Sequence, residues 1–226
     1  MTTLRDVVDL IVFDFDGTIC ESADVKTDAF YQLYLDEQGE EFATAVRDYH
    51  ILHAGVSRYD KIKYYEEELL GRPCTDERMA EVAGRFGDIV RDRVIAAPLA
   101  PGVAGFFDMH AGEVPMLVAS ATPTEELREI IAARGITHWF DQVEGSPRLK
   151  GDIVAGYVTE HAAAPERAVM VGDQVSDIEA ARHAGVRFVA YRPAGEDRLF
   201  DETVTVVTDF RALPDAITGG VTGGSV

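Results

Sequence analysis

Asp14-Phe15-Asp16-Gly17-Thr18 follows directly on the apolar run Leu10 to Phe13. The run reads as a buried strand whose end carries two carboxylates two residues apart. Side chains two apart along a strand point the same way, so Asp14 and Asp16 are expected to converge just past the strand end. Open α/β sheets bind their ligands outside such carboxyl ends. A carboxylate there can attack as a nucleophile, a second can move protons, and both can hold a hard cation. An ordinary Asp/Gly turn is the competing reading of these residues alone. A calcium loop fits poorly, because the third Asp and the closing Glu are missing at loop spacing.

Three further stretches carry the same kind of chemistry. Leu117-Val118-Ala119 runs into Ser120-Ala121-Thr122-Pro123. A hydroxyl at a strand end before a helix suits an anion, because the helix N-terminus offers free N–H groups. Thr122 with Pro123 and Glu125 also reads as plain helix initiation. Both can hold, with Thr122 capping and Ser120 binding. Val169-Met170-Val171-Gly172-Asp173-Gln174-Val175-Ser176-Asp177 repeats the first pattern. Asp173 comes just past a strand, and Asp177 opens the next helix, where it or Ser176 can simply cap. Two acidic strand ends in one sheet repel each other. Two unit charges about 4 Å apart cost on the order of 4 kcal/mol at an effective dielectric near 20. A divalent cation would relieve this, and Mg²⁺ suits all-oxygen ligation. Lys150 precedes the helix that leads to the Asp173 strand, so it is either a solvated charge or a group that reaches the site.

These side chains need elements to position them. Residues 22–96 read as helical, with Phe30, Leu33 and Tyr34 on one face and Tyr59, Ile62, Tyr65, Leu69 and Leu70 on another. Ser57 is the expected N-cap of the second stretch and Gly71-Arg72-Pro73 its stop. Met79, Val82, Phe86, Ile89 and Val90 predict a further helix, and Ala97 to Gly102 a linker. From there strands (115–120, 141–144, 168–171, 186–191, 204–207) alternate with helices (124–134, 153–161, 176–184). That alternation predicts an α/β fold, a parallel sheet with helices on both faces. The Gly-rich tail from Thr218 reads as loose.

Composition narrows the function classes. The chain has 226 residues, 46% of them apolar, enough for a sizeable core with an insertion. Its formal net charge of −19 argues against nucleic acid and against an anionic membrane surface as partners, since both need basic surface. No stretch is long and apolar enough to span a bilayer. Residues 1–6 lack the basic-then-apolar order of a signal peptide. Cys20 and Cys74 lie far apart without a Cys-x-x-Cys, which fits a reduced, cytoplasmic setting and small buried hydrophobes. His50 and His53 read as packing or surface groups, with substrate contact the alternative.

Taken in order, the four pieces resemble the haloacid dehalogenase superfamily, in its magnesium-dependent phosphotransferase branch. The residues that carry this are Asp14-Phe15-Asp16-Gly17-Thr18, Ser120, Lys150 and Gly172-Asp173-Gln174-Val175-Ser176-Asp177. The resemblance implies a Rossmann-like core of residues 1–20 and 97–226 and an inserted helical cap, 21–96, as in the phosphoglycolate phosphatase and β-phosphoglucomutase subgroup. It implies a phosphatase acting on a small phosphorylated metabolite through an aspartyl-phosphate. A monomer is expected, or a weak homodimer if an exposed cap face pairs. Asp14 would be the nucleophile and Asp16 the acid and base, with Ser120 and Lys150 completing the catalytic set. Asp14, the Asp16 carbonyl and Asp173 would hold Mg²⁺, with Asp177 either a direct ligand or a support behind the ligands, and Thr18 and Ala121 would line the substrate. Ala54-Gly55-Val56-Ser57-Arg58 resembles the β-phosphoglucomutase cap segment whose arginine grips a distal phosphate. Arg58 and then Lys61 are therefore cap-borne substrate contacts, the alternative being a solvated helix face. Lys26 stands where β-phosphoglucomutase has a histidine that assists acid–base catalysis, which weighs against mutase activity; Glu21 also stands where many members have Asp. A phosphosugar mutase and a non-catalytic phosphometabolite-binding module are the alternatives. The metal-free dehalogenases lack the second Asp of the first motif, so Asp16 argues against dehalogenation.

Overall fold

The computed structural model describes residues 3–53, 55–195 and 200–219. Ala54 of the cap segment and the tail beyond Gly219 lie outside the described residues. The chain divides into two compact units, residues 1–21 with 98–226, and residues 22–97.

In the first unit, α1 (Leu4–Val7) leads into β1 (Leu10–Phe13). After the insertion come α6 (Val103–His110), β2 (Met116–Pro123), α7 (Thr124–Ala133), β3 (Gln142–Ser146) and α8 (Lys150–Glu160). Then follow β4 (Ala168–Gly172), α9 (Val175–Ala184), β5 (Arg187–Tyr191), β6 (Thr205–Val207) and α10 (Leu213–Gly219). The six strands form one parallel sheet in the order β3-β2-β1-β4-β5-β6. β1 is apolar at every position because both its faces are covered, as parallel sheets require. Leu10 and Val12 pack with Ile153, Val154 and Tyr157 of α8 and with Ala180 and Ala181 of α9. Phe13 turns to the opposite face, its ring 5.0 Å from Phe107 of α6 and 6.2 Å from Phe210. The α/β fold class thus stands, with helices on both faces.

Several boundaries differ from expectation. β2 runs on to Pro123 instead of ending at Ser120, with a ladder irregularity between Ala119 and Pro123. Bulges of this kind re-aim side chains at sheet ends. α7 therefore starts at Thr124 with Pro123, and not Thr122, as its N-cap. α8 starts at Lys150 rather than Ile153. Thr218 and Gly219 belong to α10 rather than to a loose tail.

The second unit holds α2 (Ala23–Gln38), α3 (Glu40–Leu52), α4 (Arg58–Tyr64), a π turn (Tyr65–Leu69) and α5 (Asp76–Ala96). Its core gathers Phe30, Tyr65 and Phe86, with Phe30 4.1 Å from Phe86 between ring centroids. Ser57 caps α4 by accepting from Tyr59 N–H. The apolar face expected from Tyr59 to Leu70 does not persist. The π turn widens the helix, so Tyr65 and Glu66 go inside while Leu69 is 38% exposed. Glu66 is tied to Tyr34, Arg72 and Arg78, and Arg78 also reaches Glu37. Buried carboxylates persist only when paired in this way.

Candidate active site

β1 is central, and its neighbours β2 and β4 leave it in opposite directions along the chain. Three adjacent parallel strands thus end side by side. Asp14 N–H donates to Val171 O at 2.9 Å, which locks the end of β1 to that of β4. Asp14 is 4% exposed.

Strand alternation is not what brings the first two carboxylates into play. β1 ends at Phe13, and Asp14 and Asp16 both lie in the turn that follows. That turn closes through Gly17 N–H to Cys20 O at 2.7 Å and the Ile19 and Cys20 N–H groups to Phe15 O. Gly17 has φ +84°, and a Cβ there would come 2.5 Å from Asp173 Oδ2. Only glycine combines that backbone with that close approach. Asp16 points to β2, where Thr122 Oγ1 donates to its Oδ2 at 2.8 Å. Thr122, expected to cap a helix, instead holds Asp16. No local signal marks this, because the partners are 106 residues apart.

Asp14, Asp173 and Asp177 each offer an oxygen, all within 4.8 Å of one another, and all three residues are buried. Lys150, the first residue of α8, joins them. Its Nζ lies 2.6 Å from Asp177 Oδ1 and 3.1 Å from Asp14 Oδ1. A lysine at a helix N-terminus opposes the helix dipole, so the carboxylates keep it there. Asp177 caps α9, its Oδ2 accepting from the Asp173 and Gln174 N–H groups at 3.0 and 2.9 Å. The capping and site readings of Asp177 are both true of one side chain. Asp173 takes Thr18 Oγ1 on Oδ1 at 2.8 Å and the Gln174 amide on Oδ2. Thr18 is fully buried and its hydroxyl is spent on Asp173, so it faces a carboxylate rather than a substrate. Ser120 Oγ accepts from Thr122 N–H at 3.1 Å, and Ala121 beside it is partly exposed.

The electrostatics follow from this crowding. Burial raises the Asp14 carboxyl well above its ordinary range; Lys150 opposes this, and Asp177, Asp173 and Asp16 reinforce it. Burial and then Asp177 push Asp173 up to about 7, against the bonds from Gln174 and Thr18. Burial works against the Lys150 charge, but Asp14 and Asp177 outweigh it and hold the lysine protonated. One ammonium thus faces the carboxylates of Asp14, Asp173 and Asp177, with Asp16 nearby. Hard oxygen donors with excess negative charge fit a small divalent cation. The Asp16 side chain is not among the clustered carboxylates and is committed to Thr122.

Arg58 and Lys61 belong to the helical unit and are buried there rather than solvated. The Arg58 guanidinium lies 4.7 Å from the Phe86 ring centroid, and Lys61 Nζ is 3.1 Å from His50 Nδ1. His50 is thus more than packing, which the sequence did not signal. Cys20 is buried and Cys74 half-buried, both as free thiols. Among the described residues, no helix is long and apolar enough to cross a membrane.

Solved structures share this fold. CbbY from Rhodobacter sphaeroides in complex with phosphate aligns with a TM-score of 0.72 at 20% identity, covering 93% of this chain and 99% of that one. β-Phosphoglucomutase from Clostridium difficile gives 0.73 at 15% identity, covering 96% and 100%. A 2-haloacid dehalogenase from Pseudomonas syringae pv. Tomato DC3000 gives 0.61 at 17%, covering 95% and 100%. No curated protein matches the sequence. Neighbours with such different names establish the fold and leave the chemistry to the site. The family model for haloacid dehalogenase-like hydrolases matches residues 8–185, and the chain belongs to that family.

Proposed function

We propose that this hydrolase is a Mg²⁺-dependent phosphatase that cleaves a small phosphorylated metabolite through an aspartyl-phosphate on Asp14. The observation that carries this is the buried Asp14–Asp173–Asp177 cluster bridged by Lys150. Asp14 attacks phosphorus while the ester oxygen leaves with a proton from Asp16. Asp16 then takes a proton from water, the water oxygen bonds to phosphorus, and the bond to Asp14 breaks. Phosphate leaves and both carboxyl groups return to their starting states. Thr122 keeps Asp16 aimed throughout. The Ser120 hydroxyl, the Lys150 ammonium and main-chain N–H groups from Ala121 onward meet the equatorial oxygens, where charge spreads. Asp14, the Asp16 carbonyl and Asp173 would hold Mg²⁺, which when bound neutralises charge on the transferred group. Asp177, whose oxygens take Lys150 and the Asp173 and Gln174 N–H groups, also fixes Lys150 and the Asp173 main chain beside the ion. Thr18 steadies Asp173 in the same manner. Asp16 favours phosphoryl transfer over dehalogenation, since cleaving a carbon–halogen bond needs no acid for its leaving group.

The helical unit, read as a cap of residues 22–97, contributes Arg58 and Lys61 as contacts for the leaving group. Phosphate release from a panel of phosphorylated metabolites, with Mg²⁺ and with EDTA, tests the proposal. Release that EDTA abolishes is expected. A folded protein that releases none, yet interconverts sugar phosphates when given a bisphosphate activator, would be a mutase instead.

A further inference from the structure

Lys150 sits at an awkward place for the work proposed for it. As the first residue of α8 it sets a cation against the positive end of a helix. It also bridges unevenly, 2.6 Å from Asp177 Oδ1 and 3.1 Å from Asp14 Oδ1. A slack first turn in α8 would lose the longer contact first, leaving the ammonium on Asp177 and away from Asp14. The turn hangs from β3 by the short connection of residues 147–149. Arg148 stands in that connection. Its Nη1 donates to Glu144 Oε2 of β3 at 2.9 Å, and its Nη2 donates to the Asp152 main-chain oxygen of α8 at 2.7 Å. One side chain thus ties the strand to the turn that carries Lys150.

α8 makes room for this side chain. Gly156 lies inside the helix, where glycine is a poorer choice than alanine. A Cβ at Gly156 would overlap Nη2 of Arg148 and lie 3.2 Å from its Cζ, so the guanidinium fills the space a side chain would take. The same turn is seated closely on α9. A Cβ at Gly151 would lie 3.0 Å from the His183 ring, and His183 Nε2 is 3.2 Å from Asp152 Oδ1. The side chains of Arg148 and Glu144 are 42% and 28% exposed, so their ion pair by itself stabilises little. What the pair does fix is where α8 begins relative to β3.

We infer that Arg148 is a positioning residue, seated on Gly156, that holds the first turn of α8 so that Lys150 reaches Asp14 as well as Asp177. Arg148 acts through main-chain geometry and contributes no group to the reaction. Its effect on rate rests on the phosphatase reading above; its effect on Lys150 does not. Lys150 meets charge that grows on the transferred group in the transition state, so a drifting ammonium lowers kcat more than it raises KM.

Gly156→Ala, Arg148→Met and the double variant test this. Alanine suits a helix interior, and the atoms it displaces are the far end of a flexible side chain. Gly156→Ala should therefore fold with a Tm equal to or above that of wild type. With p-nitrophenyl phosphate each variant should lose about tenfold in kcat with little change in KM, less than removal of a whole charge-stabilising donor costs. The double variant should lose no more than either single one, because both release the same clamp. The chain has only four lysines, so ¹³C-lysine spectra follow Lys150 without turnover, its signal being the one that Lys150→Arg removes. The two Cε protons of a fixed lysine should be inequivalent in wild type and averaged in all three variants. Wild-type kcat and an unchanged Lys150 signal in Gly156→Ala and Arg148→Met overturn the inference, and so do losses that add in the double variant. A rate loss in Gly156→Ala that comes with a lowered Tm and an unchanged Lys150 signal makes the contact packing alone and also overturns it. If wild type fails to hydrolyse the reporter, the phosphatase reading falls by itself. Averaged Lys150 protons in both single variants then uphold the clamp, and unchanged protons remove it too.

Discussion

Asp14 sits between a lysine that favours its charge and three carboxylates that oppose it. Its proposed role depends on a nucleophilic oxygen, so Asp14→Asn should abolish hydrolysis of p-nitrophenyl phosphate while the far-UV circular dichroism stays unchanged. Retained turnover would remove the nucleophile assignment. Asp16→Asn should lower kcat by about 10²–10⁴-fold, the usual contribution of a general acid and base. The Thr122 hydroxyl donates to Asp16 Oδ2 at 2.8 Å. Thr122→Val keeps the β-branched shape that suits β2 and removes that donor. A loss of about tenfold in kcat is expected, equivalent to about 1.4 kcal/mol in the barrier. A rate equal to wild type would show that Asp16 is aimed by other means.

At the level of elements, the turn after β1 matters as much as the strand. Gly17 combines a left-handed backbone with contact to Asp173. Gly17→Ala should therefore cost more than about 1 kcal/mol. That lowers Tm by at least about 3 °C in a chain of this size. It should also diminish the rise in Tm expected of wild type on adding Mg²⁺, because Asp173 must shift. A full Mg²⁺ response in the variant would mean that Asp173 is not held by this approach. In the helical unit, the π turn and α5 are joined through fully buried Glu66 and the two arginines it binds. Arg78→Met leaves Glu66 with Arg72 and deprives Glu37 of one partner. Because Glu66 keeps Arg72, the cost should be that of lost charge-assisted hydrogen bonds, about 1.5–3 kcal/mol, rather than that of an unpaired buried charge. Urea denaturation should register that loss, and a change under 1 kcal/mol would mark the network as replaceable.

Over the whole molecule, a charge of −19 opposes compaction through self-repulsion. Raising salt from 0.1 M to 1 M shortens the Debye length from about 10 Å to about 3 Å. The Tm should rise over that range in NaCl. A fall would mean that ion pairs such as those of Glu37 and Glu66 outweigh the general repulsion. The excess of acid also sharpens the contrast with cations buried among the described residues, such as Lys150 in the sheet unit and Lys61 with Arg58 in the helical unit.

The sequence by itself determined the alternation of strands and helices, the parallel class of the sheet and the stretches that supply the candidate site. Those signals are local: apolar runs such as Leu10 to Phe13, and acidic or hydroxyl residues directly after them. It also placed Lys150 at a helix start, though three residues late in its assignment of the helix. Only the tertiary structure decided what each polar side chain does. Thr122 serves Asp16, Thr18 serves Asp173, Asp177 both caps α9 and holds Lys150, and His50 holds Lys61. The inward turn of Glu66 likewise appeared only once the π turn was known. The physical reason is one of range. Hydrophobic periodicity and capping act within a few residues, whereas a hydrogen bond between positions 18 and 173, or 16 and 122, exists only after the strand ends have been brought side by side.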